Sequence, residues 1–299
     1  MTLERIVGGE GLDAPWAMIA PRLREDTVLG RDTRVLLIGF GNMGQALARG
    51  WLARGRAPGS IRVVDTAAEA RAAATKLEIV ASERVGGDSG PAADVVVLAV
   101  KPNQVVAALA EVATLARAAV FLSIAAGKTL AQLAAGLTAR AAIVRAMPNT
   151  PAAIGQGITA LVANSSTAPA QRELCEELLA AVGATAWLDD ESDMDAVTAL
   201  SGSGPAYVFL LIECLERAGV DAGLAPDLAR RLAVATVAGA GTYAAVATDA
   251  PAELRRRVTS PGGTTQAALD VLGAEHGLAE LIGRAVRAAA KRSRELSAL

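Results

Sequence analysis

The chain has 299 residues, with 29 lysines and arginines against 31 aspartates and glutamates and 52% hydrophobic residues. That length holds two compact units, and the apolar content and balanced charge exclude a disordered tail, a collagen-like rod, a mucin-like stalk and a disulfide scaffold. A formal net charge of -2, five Phe and Tyr, three Trp and one His supply neither a broad positive field nor many stacking platforms for nucleic acid, and leave His276 alone to build a zinc site or catalytic triad.

The first 30 residues include Glu4, Glu10, Asp13, Glu25 and Asp26 and do not read as a secretory or transit segment. Residues 1–33 are therefore set apart as an N-terminal extension. Apolar runs such as Val95 to Val100 fall far short of the roughly 20 residues that a membrane span needs. The sequence thus predicts a soluble, cytoplasmic product with no membrane and no nucleic-acid partner. Cys175 and Cys214 lie far apart without CxxC spacing, which predicts two buried thiols in a reducing compartment.

From Val35 the pattern becomes regular. A strand at Val35 to Ile38, a glycine cluster, a helix to about Ala53 and a strand at Ile61 to Val64 form a βαβ unit. Further strands are predicted at Ile79–Val80, Val95 to Val100, Ala119 to Ile124, Ile143 to Met147 and Ile158 to Val162, with Trp187 in a last apolar stretch. Helices are predicted at Glu69 to Ala74, Val105 to Ala116 and Leu130 to Ala135. Beyond Ser192 only helices are read, over 193–200, 205–218, 226–247 and 276–296. The expected fold class is α/β: a Rossmann-type, mostly parallel sheet with helices on both faces over 34–190, followed by an all-helical C-terminal domain over 191–299. Leu228 to Ala245 carries almost no charge past Arg231, so it is either a dimerisation helix or a central helix packed within its own subunit.

Gly39-Phe40-Gly41-Asn42-Met43-Gly44 follows the first strand and opens a helix. In that context Gly39 makes the tight turn, Gly41 lets a pyrophosphate approach the backbone, and Gly44 permits close helix–strand packing. Asp65 ends the second strand, where it can accept hydrogen bonds from ribose hydroxyls and disfavour a 2′-phosphate, or simply close a turn. Ala99-Val100-Lys101-Pro102 and Ala125-Ala126-Gly127 end later strands at the sheet edge where ligands collect. Lys101 either contributes charge near a cofactor or faces solvent. Arg145 to Pro151 places Met147 and Asn149 at another strand end. Ser260-Pro261-Gly262-Gly263-Thr264-Thr265 runs into a helix starting near Gln266, which is either an anion nest for a small carboxylate or only a turn with Thr264 as its cap.

These motifs in this order, from about Arg34 to Leu296, resemble the pyrroline-5-carboxylate reductases, the last enzymes of proline biosynthesis. The resemblance implies NAD(P)H-dependent reduction of (S)-1-pyrroline-5-carboxylate to L-proline. It implies a cofactor held by Gly39, Phe40, Gly41, Asn42, Met43, Gly44, Asp65, Ala99, Val100, Lys101, Pro102, Ala125, Ala126, Gly127, Met147 and Asn149, and no metal. It implies substrate held by Val258, Ser260, Gly262, Gly263, Thr264 and Thr265, with Thr265 the catalytic residue near the ring nitrogen. The family also implies an intertwined homodimer, assembled in several members as a homodecamer. NADPH is the family expectation for the cofactor, whereas Asp65 suggests NADH. A β-hydroxyacid dehydrogenase would place a catalytic Lys in the helical domain, and no Lys lies between Asp193 and Ala290. A nicotinamide-binding regulator without turnover would have no need of the Ser260 to Thr265 loop.

Overall fold

β1 (Val35–Ile38) is buried at all four positions, as are β4 (Val95–Leu98) and β5 (Val120–Ser123). Unbroken apolar runs of this kind suit parallel strands covered on both faces. The computed structural model describes residues 33–86, 93–113, 119–138 and 140–297. The extension assigned to 1–33 lies outside the described residues except for Thr33, and so does the end of the helix expected to reach Ala116.

β2 (Ile61–Val64), β3 (Val80–Ser82), β6 (Ala142–Met147), β7 (Gly157–Ala163) and β8 (Gly183–Trp187) complete an eight-stranded sheet of order β3-β2-β1-β4-β5-β6-β7-β8. Every neighbouring pair is parallel except β6 and β7. The period-two alternation of each strand divides the core. Val35 and Leu37 join α1 (Asn42–Ala53) and α5 (Pro169–Ala180) on one face, through Leu47, Trp51, Leu178 and Leu179. Leu36 and Ile38 join α3 (Val105–Val112) and α4 (Leu130–Ala135) on the other. α2 (Ala68–Thr75) buries Ala74 in the first core. Trp51 is wholly buried, and its indole N–H donates to the Leu178 carbonyl at 2.8 Å, which removes the penalty of enclosing that polar group.

The chain runs outward from β1 to β3 and then returns to β4 on the other side of β1, so the strand order reverses between β1 and β4. The carboxyl ends of these strands flank a crevice, the place where open α/β sheets bind ligands. β4 ends at Leu98 rather than Val100; the Ala99 N–H still donates to the Ile38 carbonyl of β1 at 2.8 Å, and Ala99 and Val100 then form a wall of that crevice.

From Met194 onward the described residues form only helices: α6 (Met194–Val197), a π turn (Thr198–Gly202), α7 (Gly204–Asp221), α8 (Pro226–Val246), α9 (Pro251–Arg257), α10 (Thr264–Leu272) and α11 (Leu278–Ser297). α9 was not expected from the sequence. Its signals are Pro251 in the first turn, Glu253 near the start and three arginines in the last turn, where they complement the helix dipole. α7 and α8 pack on each other, yet α7 buries no residue and α8 buries only Ala229 and Ala233. Phe209, Leu210, Leu232 and Tyr243 are exposed. A helix this apolar is therefore not surrounded within its own subunit. Glu191–Asp221 is long and apolar enough, by length and composition, to cross a membrane, and it is interrupted by the π turn. Cys175 is buried, and burial pushes its thiol up to about 12. Cys214, expected to be buried, is exposed on the outer face of α7.

The sheet and the helices are joined by a half-buried ion pair. Arg145 on β6, 5% exposed, donates from Nη1 to Glu191 Oε1 at 2.6 Å, and the same oxygen accepts the Leu130 N–H at the start of α4. Truncating one member of such a pair leaves the other charge uncompensated. Glu191→Ala is expected to lower the unfolding free energy by about 3 kcal/mol, read from urea denaturation at fixed protein concentration.

Candidate active site

The turn after β1 is built from both of its neighbours. Gly39 has φ +94°, its N–H donates to the Val64 carbonyl at 2.8 Å, and a Cβ there would lie 2.7 Å from the Ala99 carbonyl oxygen. A Cβ on Gly44 would lie only 2.4 Å from the Gly39 carbonyl oxygen. At Gly41 the geometry is the opposite: a Cβ would meet nothing within 4 Å. Gly39 and Gly44 are thus required by the chain's own packing, whereas Gly41 faces open space at the start of α1. That start has no side-chain cap and no acidic residue in its first turn. A twelve-residue helix with free first-turn amides and a bare approach fits a dinucleotide pyrophosphate.

Asp65 locks this turn. Its Oδ2 accepts the Phe40 N–H at 2.6 Å, and its Oδ1 accepts the Ala67 N–H at 2.8 Å. The sequence left open a ribose acceptor or a turn aspartate; the side chain closes the turn, and each oxygen keeps a second lone pair for a ribose hydroxyl. Asp65→Ala is expected to loosen the glycine turn and weaken binding of either dinucleotide by roughly tenfold, the effect of about 1.4 kcal/mol, measured by calorimetric titration.

Gly39, Gly41, Asp65, Ala99, Val100 and Lys101 line one cleft of about 380 Å³. Thr66, Glu83, Gln104 and Glu111 also line it and were not anticipated from the sequence. Glu83 became legible only through the register that pairs Val64 with Ser82, which sets the ends of β2 and β3 side by side. Other expected contacts lie elsewhere. Phe40 is fully buried in the core, so only its backbone is available to a ligand, and Met43 packs against the same core. Asn42 and Pro102 are exposed, Lys101 is exposed at the rim of the cleft it lines, and Ala125 is buried while Ala126 is exposed. Gly127, at φ +72°, abuts the backbone of Leu296 at the end of α11.

Asn149 has its amide engaged within the chain: Oδ1 accepts the Ile158 N–H at 3.0 Å and Nδ2 donates to the Ser201 carbonyl at 3.2 Å. Gly202 lies so close to Met147 that a Cβ would fall 2.5 Å from the methionine Cε. The two residues therefore hold the π turn against the end of β6.

The second motif forms the start of α10. Gly262 has φ +69°, and the Gly263 N–H donates to the Ser260 carbonyl at 3.0 Å, closing the turn. The amides of Thr264, Thr265 and Gln266 precede the first helical bond, from the Ala267 N–H to the Gly263 carbonyl at 3.2 Å. The Gly263 amide is thus used by the turn itself, and the amides that remain at the start of α10 begin at Thr264. Val258, Ser260, Thr264 and Thr265 are exposed, and none of the loop 258–265 lines the glycine cleft. The preceding helix is braced by ion pairs of Arg256 with Glu253 (2.6 Å) and of Arg257 with Asp249 (2.7 Å), which accounts for two of the three consecutive arginines. His276 is exposed and meets Glu280 at 2.5 Å. Among the described residues, no group of three His, Cys, Asp or Glu side chains could hold a metal ion.

Residues 191–296 match the family described as pyrroline-5-carboxylate reductase dimerisation, and residues 34–127 match NADP oxidoreductase coenzyme F420-dependent. Over 265 residues the chain is 44% identical to a pyrroline-5-carboxylate reductase of Pseudomonas aeruginosa, covering 88% of this chain and 97% of that protein. The chain belongs to the pyrroline-5-carboxylate reductase family.

A solved pyrroline-5-carboxylate reductase from Coxiella burnetii matches the fold of this family member with a TM-score of 0.83 at 36% identity, over 89% of this chain and 98% of that one. A Plasmodium falciparum pyrroline carboxylate reductase with NADP bound matches with a TM-score of 0.77 at 26% identity, over 89% and 99% of the two chains. The exposed α7 and α8 therefore belong to the dimerisation region of a pyrroline-5-carboxylate reductase, which is the physical reason they are unburied in a single chain.

Proposed function

We propose that this chain reduces (S)-1-pyrroline-5-carboxylate to L-proline with a reduced nicotinamide dinucleotide, as the last step of proline biosynthesis. The observation that carries the reading is the open face of Gly41 at the uncapped start of α1, in a chain 44% identical to a pyrroline-5-carboxylate reductase over nearly all of that protein's length.

Gly39 to Gly44, Asp65 and Ala99 to Pro102 would hold the dinucleotide, with Ala125 to Gly127, Met147 and Asn149 bordering its far end. When bound, the reduced nicotinamide supplies a hydride. The chain's own contribution is placement. The amides of Thr264, Thr265 and Gln266 offer a preorganised nest for the substrate carboxylate, and the helix dipole favours its charge. Val258, Ser260, Gly262 and Gly263 shape that nest, and the Thr265 hydroxyl hydrogen-bonds at the ring nitrogen. A protonated cyclic imine already accepts hydride readily, so orientation and a matched electrostatic setting account for most of the rate gain.

The glycine cleft lies in the dinucleotide-binding domain, 34–190, and the carboxylate nest in the helical domain, 191–299. Because the nest does not border the cleft of its own chain, a second copy joined through α7 and α8 would complete the site. Assembly of such dimers into a decamer and a cytoplasmic location are parts of the same reading. Acidic side chains at the adenosine end of the cleft would favour NADH, although the Plasmodium relative was solved with NADP bound. The test is loss of nicotinamide absorbance when purified protein meets pyrroline-5-carboxylate with NADH or NADPH. Turnover with a cyclic imine lacking the carboxylate at an equal kcat/KM would remove the α10 nest from the site.

A further inference from the structure

The adenosine end of the cleft carries charges that hydride transfer does not use. Glu83 follows β3 beside Asp65 and lines the cleft, whereas Arg71 on α2 does not line it. Arg71 Nη1 donates to the carbonyls of Asp65 at 2.9 Å and Thr66 at 2.8 Å, and Nη2 lies 3.9 Å from Glu83 Oε2. Both N–H groups of Nη1 are thus engaged, which leaves the remaining donors of the guanidinium on the side shared with Glu83.

We propose that Glu83 sets the dinucleotide preference: its carboxylate stands at the rim where a 2′-phosphate on the adenosine ribose would arrive and keeps Arg71 paired behind it, so that NADH is bound in preference to NADPH. The proposal rests on reading the cleft as a nicotinamide-dinucleotide site. Asp65 carries charge at the same end, but its carboxylate closes the glycine turn, so its removal affects both dinucleotides together. The side chain of Glu83 is 62% exposed, and its charge can be changed without opening that turn. At such a rim, solvent reduces one like-charge contact to roughly a tenfold effect on affinity, and added salt reduces it further.

Calorimetric titration of the full-length chain with NADH and with NADPH, with no imine present, tests the assignment. The unaltered protein is expected to bind NADH more tightly. Glu83→Gln is expected to raise the ratio of NADPH to NADH affinity by about tenfold at low ionic strength, with a smaller gain at high salt. Adding Arg71→Ala to that variant is expected to reverse the gain, because the freed guanidinium is what would meet the phosphate. An unchanged ratio in Glu83→Gln, or an unaltered protein that already prefers NADPH, overturns the proposal. Absence of pyrroline-5-carboxylate turnover alongside the expected binding pattern would instead overturn the reaction assignment alone, and failure to bind either dinucleotide would overturn both.

Discussion

Gly41→Val is expected to leave the protein folded while weakening dinucleotide binding by about a hundredfold, equivalent to about 2.7 kcal/mol. The backbone at Gly41 has φ -70° and ψ -168°, which an L-residue adopts without strain, and its Cβ direction is empty of protein atoms. A valine there would occupy space that a pyrophosphate needs in order to reach the first-turn amides of α1. Gly44→Val makes the informative contrast. Its side chain would collide with the Gly39 carbonyl, a backbone atom that cannot rotate away, so α1 must lift from the sheet. Overpacking of this kind costs about 3 kcal/mol, and the melting temperature should fall together with cofactor affinity. Thermal melts and calorimetric titration of the two variants side by side separate the roles. If Gly41→Val bound dinucleotide as the unaltered protein does, the cleft would not be the cofactor site.

Thr265→Ala is expected to lower kcat/KM for the imine by about 10- to 100-fold, a loss of about 1.4 to 2.7 kcal/mol of transition-state binding. The amide of Thr265 survives the substitution, so the proposed carboxylate nest would be kept while the hydroxyl proposed to meet the ring nitrogen is lost. Gly263→Val acts on the nest itself. A Cβ at Gly263 would sit 3.1 Å from the Ser260 carbonyl oxygen, so the turn that presents the α10 amides must shift, and the branched side chain would crowd an arriving carboxylate. A larger loss than in Thr265→Ala, appearing chiefly in KM, is the expected result in steady-state kinetics. Full activity in Thr265→Ala would remove its hydroxyl from the reaction.

The two substitutions also bear on assembly. Thr265 is exposed in the single chain, and α7 and α8 bear large apolar residues on their outer faces. A mixed dimer made from one Thr265→Ala chain and one Gly41→Val chain would hold one intact composite site if the nest of one copy serves the cleft of the other.

Much of the fold was legible because its signals are local. The strands Val35–Ile38 and Ile61–Val64 and the helix Leu130–Ala135 stand where the apolar pattern placed them, since strands covered on both faces leave an unbroken apolar run and Thr129 caps the helix. The glycine turn was legible for a related reason: its three glycines are close in sequence between a buried strand and a helix, two of them needed for packing and one left facing open space. α9 has weak local signals because proline, short length and a run of arginines resemble a loop, and its ion pairs exist only once the turn has formed.

The site itself divides in the same way. The sequence alone determined the α/β class, the glycine turn and the α10 loop, because each depends on residues that are neighbours along the chain, and the order of these motifs carried the family resemblance that implied the reaction. Tertiary structure decided that Asp65 bonds to the Phe40 amide, that Glu83 joins it at the cleft, that Asn149 ties β7 to the π turn, and that Cys214 lies outside. Those facts follow from strand order, register and the packing of helices across long sequence separations, and no local pattern of residues specifies which distant partner a side chain will meet.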